Sequence, residues 1–331
     1  MAKRTGITAG QMVAALAVAL AAVAAAYFAL GGRLGGTREI APPDGALVLR
    51  HVDPKLVAYE EVPGIVTGMV EPRGLAVGGP DSIYVVGDRV IRVFDGNGAR
   101  LREVPTEGAG TSLAVALGGE VFVATANRVE VYDANGRRRA VWGAFDPNSM
   151  FCSVSVAFWD VSTDVFIADE SGGGQVLRCD GDGNIVGRIG RDGDPNDWIL
   201  LRSPHFDVAV GPEGLLWITN PGRLRVEAYT FEGERKASWG EPTMDIGGFS
   251  GCCNPKDIAF LPDGNIVTSE KGLPRVQVFD PAGRFLCVVA GPESFDQGVR
   301  YLDLAVDGRG RVLVLDPVQK KVRIFVPKGQ R

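Results

Sequence analysis

The chain has 331 residues, a formal net charge of −5, 45% hydrophobic residues and 45 glycines. That composition suits a packed, turn-rich β protein and excludes a disordered one, while the lack of a basic excess argues against a nucleic-acid partner. Five cysteines are too few and too scattered for a disulfide-dense scaffold.

Residues 1–6 carry Lys3 and Arg4, and no charged residue follows until Arg33. The Ala-, Val- and Leu-rich run within 7–30 reaches the roughly 20 apolar positions that a bilayer core requires, so it predicts a transmembrane signal-anchor helix. Positive charge on its leading side puts the short tail in the cytoplasm and the body in the periplasm or outside the cell, the membrane being a bacterial inner membrane. Residues 31–46 predict a flexible linker. The rival reading is a cleaved signal peptide ending near Ala24-Ala25-Ala26, and both readings export the body, residues 47–328.

The body repeats one unit six times. Each unit has an apolar inner strand, a tight turn, a second strand, a third strand close to Arg-Val-x-Val-Phe-Asp, a Gly turn and a fourth strand. The inner strands are anchored on Ala76, Ala114, Ser155, Ala209, Ala259 and Ala305. Gly251–Gly291 displays the unit most clearly, with turns at Pro262-Asp263-Gly264 and Asp280-Pro281-Ala282-Gly283. The sixth unit ends without a fourth strand, and Lys55–Val62, upstream of the first, predicts the missing one. Pairing the two would close a ring and protect its edges.

The tract Pro255–Leu286 resembles the NHL repeat, and similar tracts recur at Arg128–Gly136 and Arg225–Gly233. The resemblance runs from about Pro72 to Val326. It implies an all-β, six-bladed β-propeller of NHL type, a fold that serves as a binding platform, a sensor and occasionally an enzyme.

Anchor spacings of 38, 41, 54, 50 and 46 place the extra residues in Gly190–Pro204, Gly240–Pro255 and Gly291–Leu302. All are connections between blades, so all enlarge one face, which is where repeat arrays carry binding surfaces. Cys152, His205 and the pair Cys252-Cys253 each precede an inner strand of blades three to five, at the mouth of the central channel. Asn254 follows in the same entrance segment. Arg223, Glu270 and Lys271, from turns between second and third strands, lie farther out on the same side. Thiolates and an imidazole converging on a mouth could hold a thiophilic metal, zinc or copper, through Cys152, His205, Cys252 and Cys253.

Each feature also has a structural explanation. Cys252 or Cys253 could form a disulfide with Cys287 or Cys152, or remain a buried thiol. His205 could be a polar cap, and Glu270-Lys271 a solvated turn. Asp207, Asp257 and Asp303, each two residues before an anchor, fit a repeated hydrogen bond to neighbouring backbone, and Trp142 and Trp239 fit packing between blades. With only His51 and His205, the chain cannot furnish the multi-histidine zinc centre implied by a resemblance to amidating lyases of this propeller class. Asp207 and Asp257 do match the acidic channel ligands of lactonase-type calcium propellers, but nothing else does. No Gly-x-Ser-x-Gly elbow or phosphate-cradling loop is present. Without a complete catalytic constellation, two readings remain. One is a membrane-tethered platform that binds a protein or small ligand through the face enlarged at blades three to five. The other is a metal or thiol-redox protein using Cys252 or Cys253 with His205 or Cys152.

Overall fold

The structure, a computed structural model, describes residues 51–329 apart from 144, 160, 161, 192–194, 196, 197, 297 and 298. The expected transmembrane helix and linker fall outside the described residues, among which no helix is long and apolar enough to cross a membrane.

Six four-stranded antiparallel sheets make up the body. The first strand, β1 (Tyr59–Val66), belongs to the last sheet. Blade one is β2 (Pro72–Gly78), β3 (Ser82–Gly87), β4 (Val90–Phe94) and β5 (Arg100–Pro105), and blade two is β6 (Ser112–Val115), β7 (Val121–Ala124), β8 (Val129–Tyr132) and β9 (Arg138–Trp142). Blade three is β10 (Phe151–Trp159), β11 (Ser162–Asp169), β12 (Gln175–Cys179) and β13 (Ile185–Ile189). Blade four is β14 (Val208–Val210), β15 (Leu216–Asn220), β16 (Arg225–Tyr229) and β17 (Arg235–Trp239). Blade five is β18 (Asp257–Phe260), β19 (Ile266–Ser269), β20 (Val276–Phe279) and β21 (Phe285–Ala290); blade six is β22 (Asp303–Val306), β23 (Val312–Asp316), β24 (Lys321–Pro327) and β1. Neighbouring inner strands touch in the order β2, β6, β10, β14, β18, β22 and back to β2, so the ring is closed. All six anchors sit on these inner strands, Ala76 opposite Tyr84 and Ala259 opposite Val267 for example.

The closing strand is Tyr59–Val66, four residues later than the expected Lys55–Val62. It runs through Pro63. On an outermost strand a proline nitrogen can face away from the ladder, and the register shifts between Val62 and Ile65 to accommodate Pro63-Gly64. The residues just before it bind a different blade: Ala58 N donates to Val288 O at 3.0 Å, and Val288 N to Leu56 O at 2.9 Å.

Apolar side chains are buried chiefly between blades. Tyr84, Val86, Ile91 and Val93 of blade one pack with Leu113, Val121, Val123 and Tyr132 of blade two, and the same interleaving recurs around the ring. The x of the third-strand pattern fastens its blade to the loop before it. Glu130 accepts from Glu107 N and Gly108 N, Gln277 accepts from Gly247 N, and Arg323 donates to Ser294 O. Trp142 and Trp239 do pack between blades, each over a left-handed glycine of the next one. A Cβ on Gly183 would lie 2.4 Å from Trp142, and one on Gly283 2.5 Å from Trp239.

Candidate functional site

The inner strands enter the ring side by side, and what they carry at their entrances builds the site. Two residues before the anchor, Asp207 Oδ2 accepts from Ile258 N (3.0 Å), Asp257 Oδ1 from Leu304 N (3.0 Å) and Asp303 Oδ2 from Leu75 N (2.6 Å). Each carboxylate therefore bonds the inner strand of the next blade, as the repeated spacing predicts. Three adjacent carboxyls away from water cannot all ionise cheaply. Burial, reinforced by the neighbouring aspartates, pushes Asp257 and Asp303 well above the ordinary carboxylate range, and burial raises Asp207 as well.

His205 sits above them in a left-handed conformation, φ 77°, held by Lys256. The Lys256 ammonium donates to the carbonyls of Pro204 and His205 at 2.6 Å each and to Ser203 Oγ at 3.2 Å. The imidazole stacks on Tyr301 with centroids 5.2 Å apart. Its Nε2 faces Asp257 Oδ2 at 3.6 Å, and neither atom has a hydrogen-bond partner. Burial, helped by the Lys256 charge, pulls His205 below its ordinary value. Burial and then the Lys271 charge bring Lys256 down to about 8.

His205, Lys256 and Tyr301 line a cavity of about 830 Å³ that touches the inner-strand entrance of every blade. Met150, Phe151, Val299 and the Tyr301 ring give the lining apolar surface, while Arg73, Lys256, Lys271 and Arg300 bring positive charge. Glu170 is the one carboxylate among the lining residues, and it accepts from the His205 backbone N–H. Arg300 is exposed and forms no ion pair with another described residue, whereas Lys271 Nζ reaches Ser203 Oγ at 2.6 Å.

His205, Lys271 and Cys152 line the cavity; Arg223, Asn254, Glu270, Cys252 and Cys253 do not. Arg223 Nε donates to Trp198 O at 2.9 Å and so ties down an inter-blade connection. Asn254 holds the β19–β20 turn, accepting from Lys271 N at 2.9 Å and donating to Ser250 O at 2.7 Å. Glu270 is no solvated turn residue: it is fully buried and paired with buried Arg275. Burying it is tolerable because Ser250 N (2.7 Å), Ser250 Oγ (2.9 Å) and Gln277 Nε2 (2.8 Å) also donate to it.

All five cysteines are free, so the pairings of Cys252 or Cys253 with Cys287 or Cys152 are not formed. Cys252 and Cys253 instead face each other with sulfurs 2.8 Å apart. Cys152 is buried and donates to Phe206 O at 3.1 Å, and burial, then Glu170, pushes its thiol well above the ordinary range. Among the described residues, its one grouping with other metal donors is with Glu170 and His205, all within 4.8 Å of one another. The expected four-residue metal set is thus divided. The thiol and carboxylate in this trio are engaged in hydrogen bonds, and the Lys256 ammonium lies against it.

Sequence reasoning missed Glu170, Lys256, Tyr301, Arg73 and Arg300. A signal for two of them was present. The residue three before each anchor is Arg73, Thr111, Cys152, Phe206, Lys256 or Leu302, and four of these six line the cavity.

No family model matches the sequence, nor does any curated protein. Solved structures do. The chain is similar to a streptogramin B lyase structure, at 14% identity over 81% of this chain and 97% of that one, TM-score 0.54. It is also similar to virginiamycin B lyase from Staphylococcus aureus, at 16% identity, 82% and 89% coverage and TM-score 0.53. A third is XC5397 from Xanthomonas campestris, described as a gluconolactonase, at 14% identity, 83% and 93% coverage and TM-score 0.60. The likeness is one of fold. At this identity the propeller is shared, and the neighbours' differing activities do not carry over.

Proposed function

We propose that this propeller is a binding protein whose mouth captures a small organic anion with an apolar body. One observation carries the reading: four cationic side chains, of which Arg73 is paired with Glu71, stand against one carboxylate among the residues that line an aromatic- and aliphatic-lined cavity of about 830 Å³, in a chain whose net charge is −5. A few convergent polar groups in a largely apolar concavity are what small-ligand sites are made of. The Lys256 charge against the Cys152–Glu170–His205 trio favours an anion over a cation there. In this reading the blades are of NHL type, and residues 7–30 tether them outside the cytoplasm.

The test is calorimetric titration with medium-chain carboxylates and aryl phosphates, each against its neutral alcohol. The anions should bind and the alcohols should not. Arg300→Ala and Lys271→Met should each weaken binding about 10–100-fold, the value of one charge-assisted contact. Lys256 loses its proton near pH 8, so affinity should fall as the pH rises through that value. Equal binding of alcohols and anions would refute the reading. Tight zinc binding that Cys152→Ser abolishes would replace it with a soft-metal centre.

A further inference from the structure

The Cys252-Cys253 pair lies outside the cavity and plays no part in anion capture. We infer that it is a thiol–disulfide exchange site, cycling between a dithiol and a disulfide of adjacent residues and oxidising a dithiol in a peptide or protein. Three features of the pair support this. The sulfurs lie 2.8 Å apart with both thiols free. One is open to solvent and the other is not: Cys252 is exposed, and Cys253 is 3% exposed. Ser203 and the positive charges of Lys271 and Lys256 also lie near the sulfur of Cys253.

This asymmetry assigns a role to each sulfur. A substrate thiolate can reach only Cys252 Sγ in the oxidised pair. As the new sulfur–sulfur bond forms, the Cys252–Cys253 bond breaks and its electron pair leaves on Cys253. The rate of that step rises as the leaving thiol becomes more acidic. Burial opposes the Cys253 thiolate, but the hydrogen bond with Cys252, nearby Ser203 and the two lysines outweigh it and hold the thiol below its ordinary value. The second substrate thiolate then attacks the substrate sulfur of the mixed disulfide, releasing the substrate disulfide and Cys252. Overall the substrate dithiol gives up two electrons and two protons, and the protein disulfide becomes a dithiol. Reversing these steps with a more oxidising disulfide regenerates the site. Stabilising the Cys253 thiolate stabilises the reduced form, which makes the pair an oxidant and not a structural brace.

The experiment uses the full-length chain. It is equilibrated in glutathione buffers of graded ratio, quenched by alkylation and mapped by tandem mass spectrometry. The peptide with both cysteines should pass from doubly alkylated to unalkylated and two hydrogens lighter, while Cys152, Cys179 and Cys287 stay thiols. The oxidised protein should convert one equivalent of a reduced dithiol peptide to its disulfide. Cys253→Ser should trap a mixed disulfide on Cys252. Cys252→Ser should react at least about tenfold more slowly, and Lys271→Met should slow peptide oxidation by roughly tenfold. Three results would each overturn the inference: a pair that stays reduced throughout, a disulfide that yields only on unfolding, or mixed disulfides formed equally on Cys253. The wild-type titration decides even if a variant fails to fold.

Discussion

Glu270→Gln tests the buried network under blade five. The carboxylate accepts from Arg275 Nε and Gln277 Nε2 on one oxygen, and from Ser250 N, Ser250 Oγ and Arg275 Nη2 on the other. Glutamine keeps the shape but removes the charge, and it turns one of those oxygens into a donor facing donors. Arg275 is 1% exposed and cannot turn to water. Orphaning one member of a buried pair costs about 3–5 kcal/mol, and Ser250 Oγ can rotate to recover part of the lost bonding, so about 4 kcal/mol is expected. For a body of this size that is a fall in Tm of roughly 6–8 °C. The assay is thermal and urea unfolding followed by circular dichroism, with Glu71→Gln alongside. Glu71 pairs with Arg73 at 2.8 Å, but the side chains are 65% and 40% exposed, so that loss should stay below about 0.5 kcal/mol. A Glu270→Gln cost under about 1 kcal/mol would refute the argument and show that water reaches the pair.

Two further predictions concern the ring and its seams. Asp257 keeps its proton in the folded chain well above the pH at which the unfolded chain releases it. Unfolding stability should therefore fall as the pH rises from about 4, and Asp257→Asn, which can still accept from Leu304 N, should flatten that slope in denaturant titrations at several pH values. Gly283→Ala meets both a φ of +84° and the Trp239 ring 2.5 Å away, whereas Gly251→Ala meets only a φ of +69° in open space. The first should cost about 2–4 kcal/mol and the second about 1 kcal/mol by thermal unfolding; equal costs would mean that Trp239 moves aside freely.

Much of the fold was legible because a propeller repeats its own chemistry. The six anchors, the Asp-to-backbone bonds of blades four to six and the tryptophan seams of blades two and four all follow from spacing, since blades that share a residue at one position make the same contact with the next. Reading failed where a residue's role depends on a distant loop. Glu270 looks like a turn residue until the segment around Ser250 folds over it, and Pro63 looks like a strand end until β1 proves to be an edge. At the site, the mouth could be located from loop lengths, and His205 and Lys271 from their place in the unit. Lys256 could not be weighed, because its lowered affinity for a proton comes from burial under Ser203, Pro204 and His205 of the neighbouring blade and from Lys271, which the β19–β20 turn brings beside it. Arg300 and Tyr301 arrive on a long connection that the repeat does not govern.

The closing seam has a consequence for biosynthesis. Glu61 on β1 and Arg323 on β24 pair across 262 positions of chain. At about 5–20 residues per second, β1 waits on the order of 15–50 s for the strand that completes its sheet. During that delay it is an open edge on a nascent polypeptide, able to pair with any neighbour. Glu60, Glu61 and Pro63 are the side chains that discourage such pairing. The residues that complicate β1 as a strand are therefore suited to guard it while translation catches up.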